Sequence, residues 1–198
     1  MVHYLANKTA EYIADGDETA DVEVIRYGYY LVYQEWIVNI AFALVALPFG
    51  LFFHALAAVL SVRLIRSRAG GTHARHSYVC RITSFVIVFL PIILAVAFPV
   101  VLSPLVFLLY PLGFAALFVY APAETNYKKV NDPKERKSLK VGALVNFSVL
   151  FLIAAALWSW FPEISFAIVG ATIFACTAVL PVMYRVYGFD PVTREEMV

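Results

Sequence analysis

Arg66–Cys80, RSRAGGTHARHSYVC, is a polar, arginine-rich and glycine-hinged stretch set between long apolar runs. Before it, Trp36–Val62 contains no Asp, Glu, Lys or Arg, and after it neither does Ile82–Ala123. The same is true of Val141–Pro162 and Ile164–Tyr184. A membrane helix needs about 20 apolar residues, so these runs read as spans and Ile82–Ala123 has room for two. A chain of 198 residues with 62% hydrophobic and 15% charged residues also departs from soluble globular composition. The expected fold is therefore all-α: a polytopic membrane bundle of about six transmembrane helices. Within it, Arg66–Cys80 is a loop at the bilayer boundary.

Toward the N-terminus, residues 1–35 read as an interfacial segment. Val2, Leu5, Tyr12 and Ile13 give a weak amphipathic helix, Asp15-Gly16-Asp17 is a turn, and Thr19 or Asp21 caps a second helix. That helix passes Tyr27, Tyr29, Tyr30, Tyr33 and Trp36, aromatics of the kind that settle among lipid headgroups. A helix over all of Trp36–Val62 would be about 40 Å long, more than the hydrocarbon core. Leu47-Pro48-Phe49-Gly50 offers a break in it. A hairpin of Gly28–Leu47 and Gly50–Ile65 is preferred to one kinked span.

Four further spans are expected near Ile82–Val101, Pro104–Tyr120, Val141–Trp160 and Ile164–Tyr184, with turns at Ser103-Pro104 and Phe161-Pro162-Glu163. Pro91, Pro99, Pro111 and Pro181 are expected to kink them. The loop at 63–81 and the loop at 123–140 together carry 11 of the 15 Lys and Arg, so both are expected on the cytoplasmic side of a cell membrane. Residues 36–198 form the transmembrane domain in this reading.

Two cysteines make no disulfide framework, and a cytoplasmic-side thiol stays reduced. Cys80 is then available as a nucleophile if an imidazole lies within reach, and His73 stands seven residues before it. On one regular helix the two would be about 10.5 Å apart along the axis, too far for contact. The chain between them should therefore leave helical form. Gly70-Gly71 supplies a turn that places His73, and Ser77 can cap a helix whose first turn holds Cys80, where the dipole favours a thiolate. Taken alone, a juxtamembrane cysteine is more often inert or palmitoylated, and the arginines around it are a topology signal. His54 is expected at a span interface and His76 at the headgroups. No zinc spacing, phosphate loop or nucleotide fingerprint occurs, so no metal, cofactor or nucleic acid is expected.

Arg66, Ala69-Gly70-Gly71, His73-Ala74 and Cys80 resemble the signature of the accessory gene regulator B family, membrane peptidases of Gram-positive quorum sensing. Tyr120-Ala121-Pro122-Ala123-Glu124, followed by basic Lys134–Lys140, is similar to the family's Ala-Pro at the end of a span and its basic loop. Tyr27-Gly28 is a weaker match, and Asn126-Tyr127-Lys128 departs from the family's Asn with a nearby proline. The resemblance implies a cysteine endopeptidase with Cys80 as nucleophile and His73 as base. Its partner would be a precursor peptide with an amphipathic leader, a core and an acidic tail. The enzyme would cut between core and tail, and the core would close a thiolactone or lactone. Arg66 would orient substrate or hold the loop, and Gly70 and Gly71 would meet a backbone requirement. Gln34 or Glu35 are candidates to orient the histidine, and Lys134, Arg136 and Lys137 to meet the tail. A homodimer is compatible with a bundle of this size. The rival reading is a small peptide transporter without covalent chemistry. It would want charged or polar residues inside the spans, or an internal repeat; the spans offer only Asn146, Ser148, Thr172, Thr177 and a few others, of the kind that pack helices.

Overall fold

The computed structural model describes residues 2–15, 21–71, 77–97, 103–123, 130 and 132–186. Every regular element among them is helical, which lets each segment satisfy its own backbone groups. The chain forms two compact units, Met1–Phe49 and Gly50–Val198.

In the first unit α1 (Val2–Ala14) packs on α2 (Val22–Ala46). Ala6 and Ala10, one turn apart and fully buried, let the helices close. Thr9 Oγ1 and Tyr33 Oη share a hydrogen bond at 2.8 Å, and His3 stacks on Tyr30 at 4.3 Å. Tyr4, Leu5 and Tyr12 stay exposed on α1. Asp21 caps α2, accepting hydrogen bonds from the amides of Glu23 and Val24 at 3.0 and 3.2 Å; Thr19 lies outside the described residues. α2 ends in a 3-10 turn at Leu47–Phe49, where Pro48 has no amide to donate and Gly50 follows at φ 71°. The apolar run Trp36–Val62 is thus broken where its sequence suggested.

The second unit contains α3 (Phe52–Ala69), α4 (Ser77–Ala97), α5 (Ser103–Leu108), α6 (Tyr110–Tyr120), α7 (Pro133–Leu157), α8 (Pro162–Thr177) and α9 (Pro181–Val186). α8 is central: every residue from Ser165 to Thr172 is buried, and α3, α4, α5, α6 and α7 all pack on it. Small residues permit this. A Cβ on Gly170 would stand 2.7 Å from Cβ of Pro91 on α4, and one on Gly113 would stand 2.8 Å from the Phe147 ring. Helices that gain nothing by leaving lipid associate through such close backbone approach.

Polar and aromatic contacts set the register. Ser165 Oγ donates to the Ala154 carbonyl at 2.6 Å, closing α7 and α8 as an antiparallel pair. Tyr110 at the start of α6 donates to Ser148 Oγ at 3.1 Å while Phe118 near its end lies under Lys140, so α6 runs antiparallel to α7. Asn146 Nδ2 donates to the Leu64 carbonyl at 2.8 Å, and the Arg68 stem lies against Gly142, so α3 is also antiparallel to α7. It follows that α3 and α8 run parallel, side by side.

Two described stretches, Val22–Phe49 and Pro133–Leu157, are long and apolar enough to cross a membrane. Arg81–Ala97, Val106–Tyr120 and Pro162–Thr177 are apolar but shorter. The expected six full-length spans are therefore not all present as single helices. The span foreseen over Pro104–Tyr120 is divided between α5 and α6 just before Pro111, and that over Ile164–Tyr184 between α8 and α9 at Pro181. Proline removes an amide donor and collides with the preceding turn. Pro91, by contrast, stays inside α4. Pro99 lies outside the described residues.

Candidate functional site at one end of the second unit

α3 stops at Ala69, and the chain then leaves helical form. Gly70 takes φ 70° and ψ −145°, a conformation open almost only to glycine, and Gly71 follows at φ 142°. The next described helix is α4, Ser77–Ala97. His73, with His76, lies outside the described residues. Ser77 and Cys80 are the first and fourth described residues of α4. For both, the backbone alone is described.

The loop is tied down from two directions. Ala123 N–H donates to the Ala69 carbonyl at 2.8 Å, and Gly70 and Ala123 form a parallel bridge. The approach is so close that a Cβ on Gly70 would sit 2.5 Å from the Ala123 carbonyl oxygen. At Gly71 a Cβ would stand 3.4 Å from Cβ of Ala178, just past α8, and 3.6 and 3.7 Å from Nε and Nη2 of Arg66. The Arg66 guanidinium is thus folded over Gly71 at the end of α3. Two segments far apart in sequence, Ala69-Gly70-Gly71 and Ala121-Pro122-Ala123, meet at one place.

Chain length then locates the start of α4. Pro91 of α4 lies against Gly170 of α8. If α4 ran parallel to α8, Ser77 would sit about 33 Å along the axis from the level of Ala178 and Gly71. Six Cα–Cα steps from Gly71 to Ser77 reach at most about 23 Å. α4 therefore runs antiparallel to α8, and the backbone of Cys80 is at the same end of the unit as Arg66, Gly70 and Gly71.

α7 brings basic charge to that end. Asp132 caps it, accepting from the Lys134 amide at 2.9 Å. Because Gly142 lies beside Arg68, the turns before it extend past the end of α3. Lys134 and Lys137 are exposed there, Arg136 is half-buried, and Lys140 Nζ sits 4.8 Å from the centre of the Phe118 ring. Gln34 and Glu35 belong to the first unit, where Gln34 Nε2 donates to Tyr30 Oη at 2.6 Å. Among the described residues no group of three or more His, Cys, Asp or Glu could hold a metal ion.

Sequence reasoning missed Ala178 as the partner of Gly71 and Arg66, and Arg68 as the partner of Gly142. Neither has a local signal, since alanines and glycines are common in every apolar run. Asn146 reads from sequence as a helix-packing residue, and nothing local to it marks its bond to the Leu64 carbonyl of α3.

The family model described as Accessory gene regulator B matches residues 4–180. Two AgrB-like proteins of Clostridium perfringens, one from strain SM101 and one from strain 13, are each 26% identical over 137 residues. Each match covers 66% of this chain and 64% of the relative, so the chain spans just under two thirds of those relatives' length. No solved structure matches the chain.

Proposed function

We propose, for a chain that belongs to the accessory gene regulator B family, a membrane-embedded cysteine endopeptidase that releases the acidic tail of a quorum-sensing precursor peptide and leaves its core ready to cyclise. Family membership suggests a role in processing such a peptide; the chemistry assigned here goes further. The observation that supports it most is the gathering, at one end of the second unit, of the Arg66–Gly71 loop, the Ala121–Ala123 segment and the first turn of α4 with Cys80.

In this reading the Cys80 thiolate attacks the carbonyl of the last core residue. The amide C–N bond breaks, His73 gives its proton to the departing tail amine, and an acyl-enzyme thioester remains. A thiol of the core then gives its proton to His73 and attacks the thioester, Cys80 leaves as thiolate, and a thiolactone forms. One thioester replaces another, so the closure is near thermoneutral, whereas water would discard the ring. A boundary site partly screened from water favours the thiol. Ser77 opens the helix whose N-terminal dipole favours the thiolate. In this reading about six apolar segments cross the bilayer, with the loop on the cytoplasmic side. The many exposed apolar side chains of the second unit, Leu108, Leu112, Leu152 and Val182 among them, suit a lipid-facing surface.

The direct experiment is intact-mass analysis of purified protein mixed with an acidic-tailed precursor whose core cysteine is replaced by alanine. The expected species is protein plus leader and core, linked through Cys80 and released by hydroxylamine. Free tail without any such adduct argues against covalent chemistry.

The tail is assigned to the first turns of α7. Changing Lys134, Arg136 and Lys137 together to Glu should raise KM for an acidic-tailed precursor by about tenfold or more at low salt, with a smaller effect at high salt. Kinetics with vesicle-reconstituted protein measure this. Unchanged KM removes these residues from the tail site.

A further inference from the structure

At the opposite end of the second unit, His54 in the first turn of α3 places Nε2 3.4 Å from Oε2 of Glu163 in the first turn of α8. The imidazole is 14% exposed and Glu163 45%. Both ring nitrogens of His54 are sealed from solvent and make no hydrogen bond, so the pair is at ion-pair distance but not aligned as a donor and acceptor. The helices packed on α3 are α8, α7 and α4. From their facing stretches, Ile82–Ala97, Val141–Leu157 and Ile164–Thr177, no Asp, Glu, Lys, Arg, His or Tyr projects, and Cys176 lies at the other end of α8. Glu163 is the one acid or base that these helices turn toward His54.

We infer that His54 and Glu163 are a proton-operated clasp between the N-terminal ends of α3 and α8, and a positioning pair for the loop at the C-terminal ends of the same helices. A neutral imidazole here leaves a donor and an acceptor without partners. Taking up a proton makes both nitrogens donors and sets an imidazolium beside a carboxylate in a poorly screened place. That draws the two helix ends together. When the proton leaves, Glu163 stays at ease at a helix N-terminus and near water, and the ends can part.

The helices carry this change across the unit. His54 and Gly71 are about 26 Å apart along α3, close to the thickness of the hydrocarbon core. α8 runs parallel and ends where Ala178 meets Gly71 and Arg66. Small sliding of packed helices is a known form of coupling. The side of the membrane that supplies the proton rests on the cytoplasmic placement of the loop; the pairing itself does not.

The test uses the full chain in proteoliposomes with the lumen buffered at pH 5.5 or 8, on either side of the range in which imidazoles change charge. Trypsin is added outside at one fixed pH. It reaches only molecules whose arginine-rich loop faces outward and whose His54 faces the lumen, and it needs no peptidase activity. Acid in the lumen should slow cutting between Arg66 and Arg81 by about threefold or more, and His54→Gln and Glu163→Gln should each erase the difference. Equal rates at both lumenal pH values in the wild type, or a difference that survives in His54→Gln, overturns the coupling. In detergent the wild-type melting temperature should rise on acidification relative to His54→Gln. No such rise overturns the clasp, and a rise in detergent without an effect in vesicles leaves the clasp standing and overturns its coupling to the loop.

Discussion

Cys80→Ala is expected to leave the protein in the membrane at wild-type abundance and to stop release of the tail from a co-expressed precursor. Loss of a covalent nucleophile costs on the order of 10⁴-fold or more in rate, because the remaining groups cannot supply the acyl intermediate. Cys80→Ser should fall nearly as far, since a hydroxyl beside one imidazole is a far poorer nucleophile than a thiolate in the first turn of a helix. Membrane fractionation with immunoblotting of precursor and product measures both. Cys176→Ala separates this role from the mere presence of a thiol. Cys176 lies at the same end of α8 as the loop, two residues before Ala178, but it is buried with its sulfur turned to Gly113 of α6, and its loss should leave processing intact. Tail release that persists without Cys80 would sink the peptidase reading.

Gly70→Ala should be the most damaging change in the loop that alters no chemical group. The residue sits at φ 70° and ψ −145°, where a side chain costs about 1–3 kcal/mol. The new Cβ would also stand 2.5 Å from the Ala123 carbonyl oxygen, a backbone atom that cannot swing aside. Overpacking adds about 1–3 kcal/mol. The bridge to Ala123 opens, and with it the contact between the two halves of the site. Processing should drop by about 100-fold or more, while far-ultraviolet circular dichroism stays helical because α3 and α4 end and begin on either side. Gly28→Ala, at a position with nothing within 4 Å, is the matched control. Equal activity of the two variants would show that the loop is not held as described.

Much of the local structure was legible in the residues themselves. Asp21 as a cap, the break at Leu47–Gly50 and the end of a helix before Gly70-Gly71 all follow from short-range chemistry. The spans were read less well. Apolar length marked where chain could cross a bilayer, but Pro111 and Pro181 cut two of those lengths into separate helices while Pro91 did not cut its own. Whether a proline breaks a helix depends on what its neighbours offer. For Pro91 that neighbour is Gly170, which no reading of the α4 residues contains.

The sequence by itself determined the helical class, the helix caps and breaks, the basic ends and the motif that carries the proposed chemistry, because each of these rests on groups within a few residues of one another. Tertiary structure alone decided that α8 is buried through its middle while α2 and α6 leave large apolar side chains exposed, and that Gly70 meets Ala123, Gly71 meets Arg66 and Ala178, and His54 meets Glu163. The reason is physical. In a chain this apolar, the faces turned to protein and those turned away carry the same kinds of residues, so hydrophobic periodicity does not mark the packed side. The shapes of small residues mark it instead, and only when two helices are already in contact.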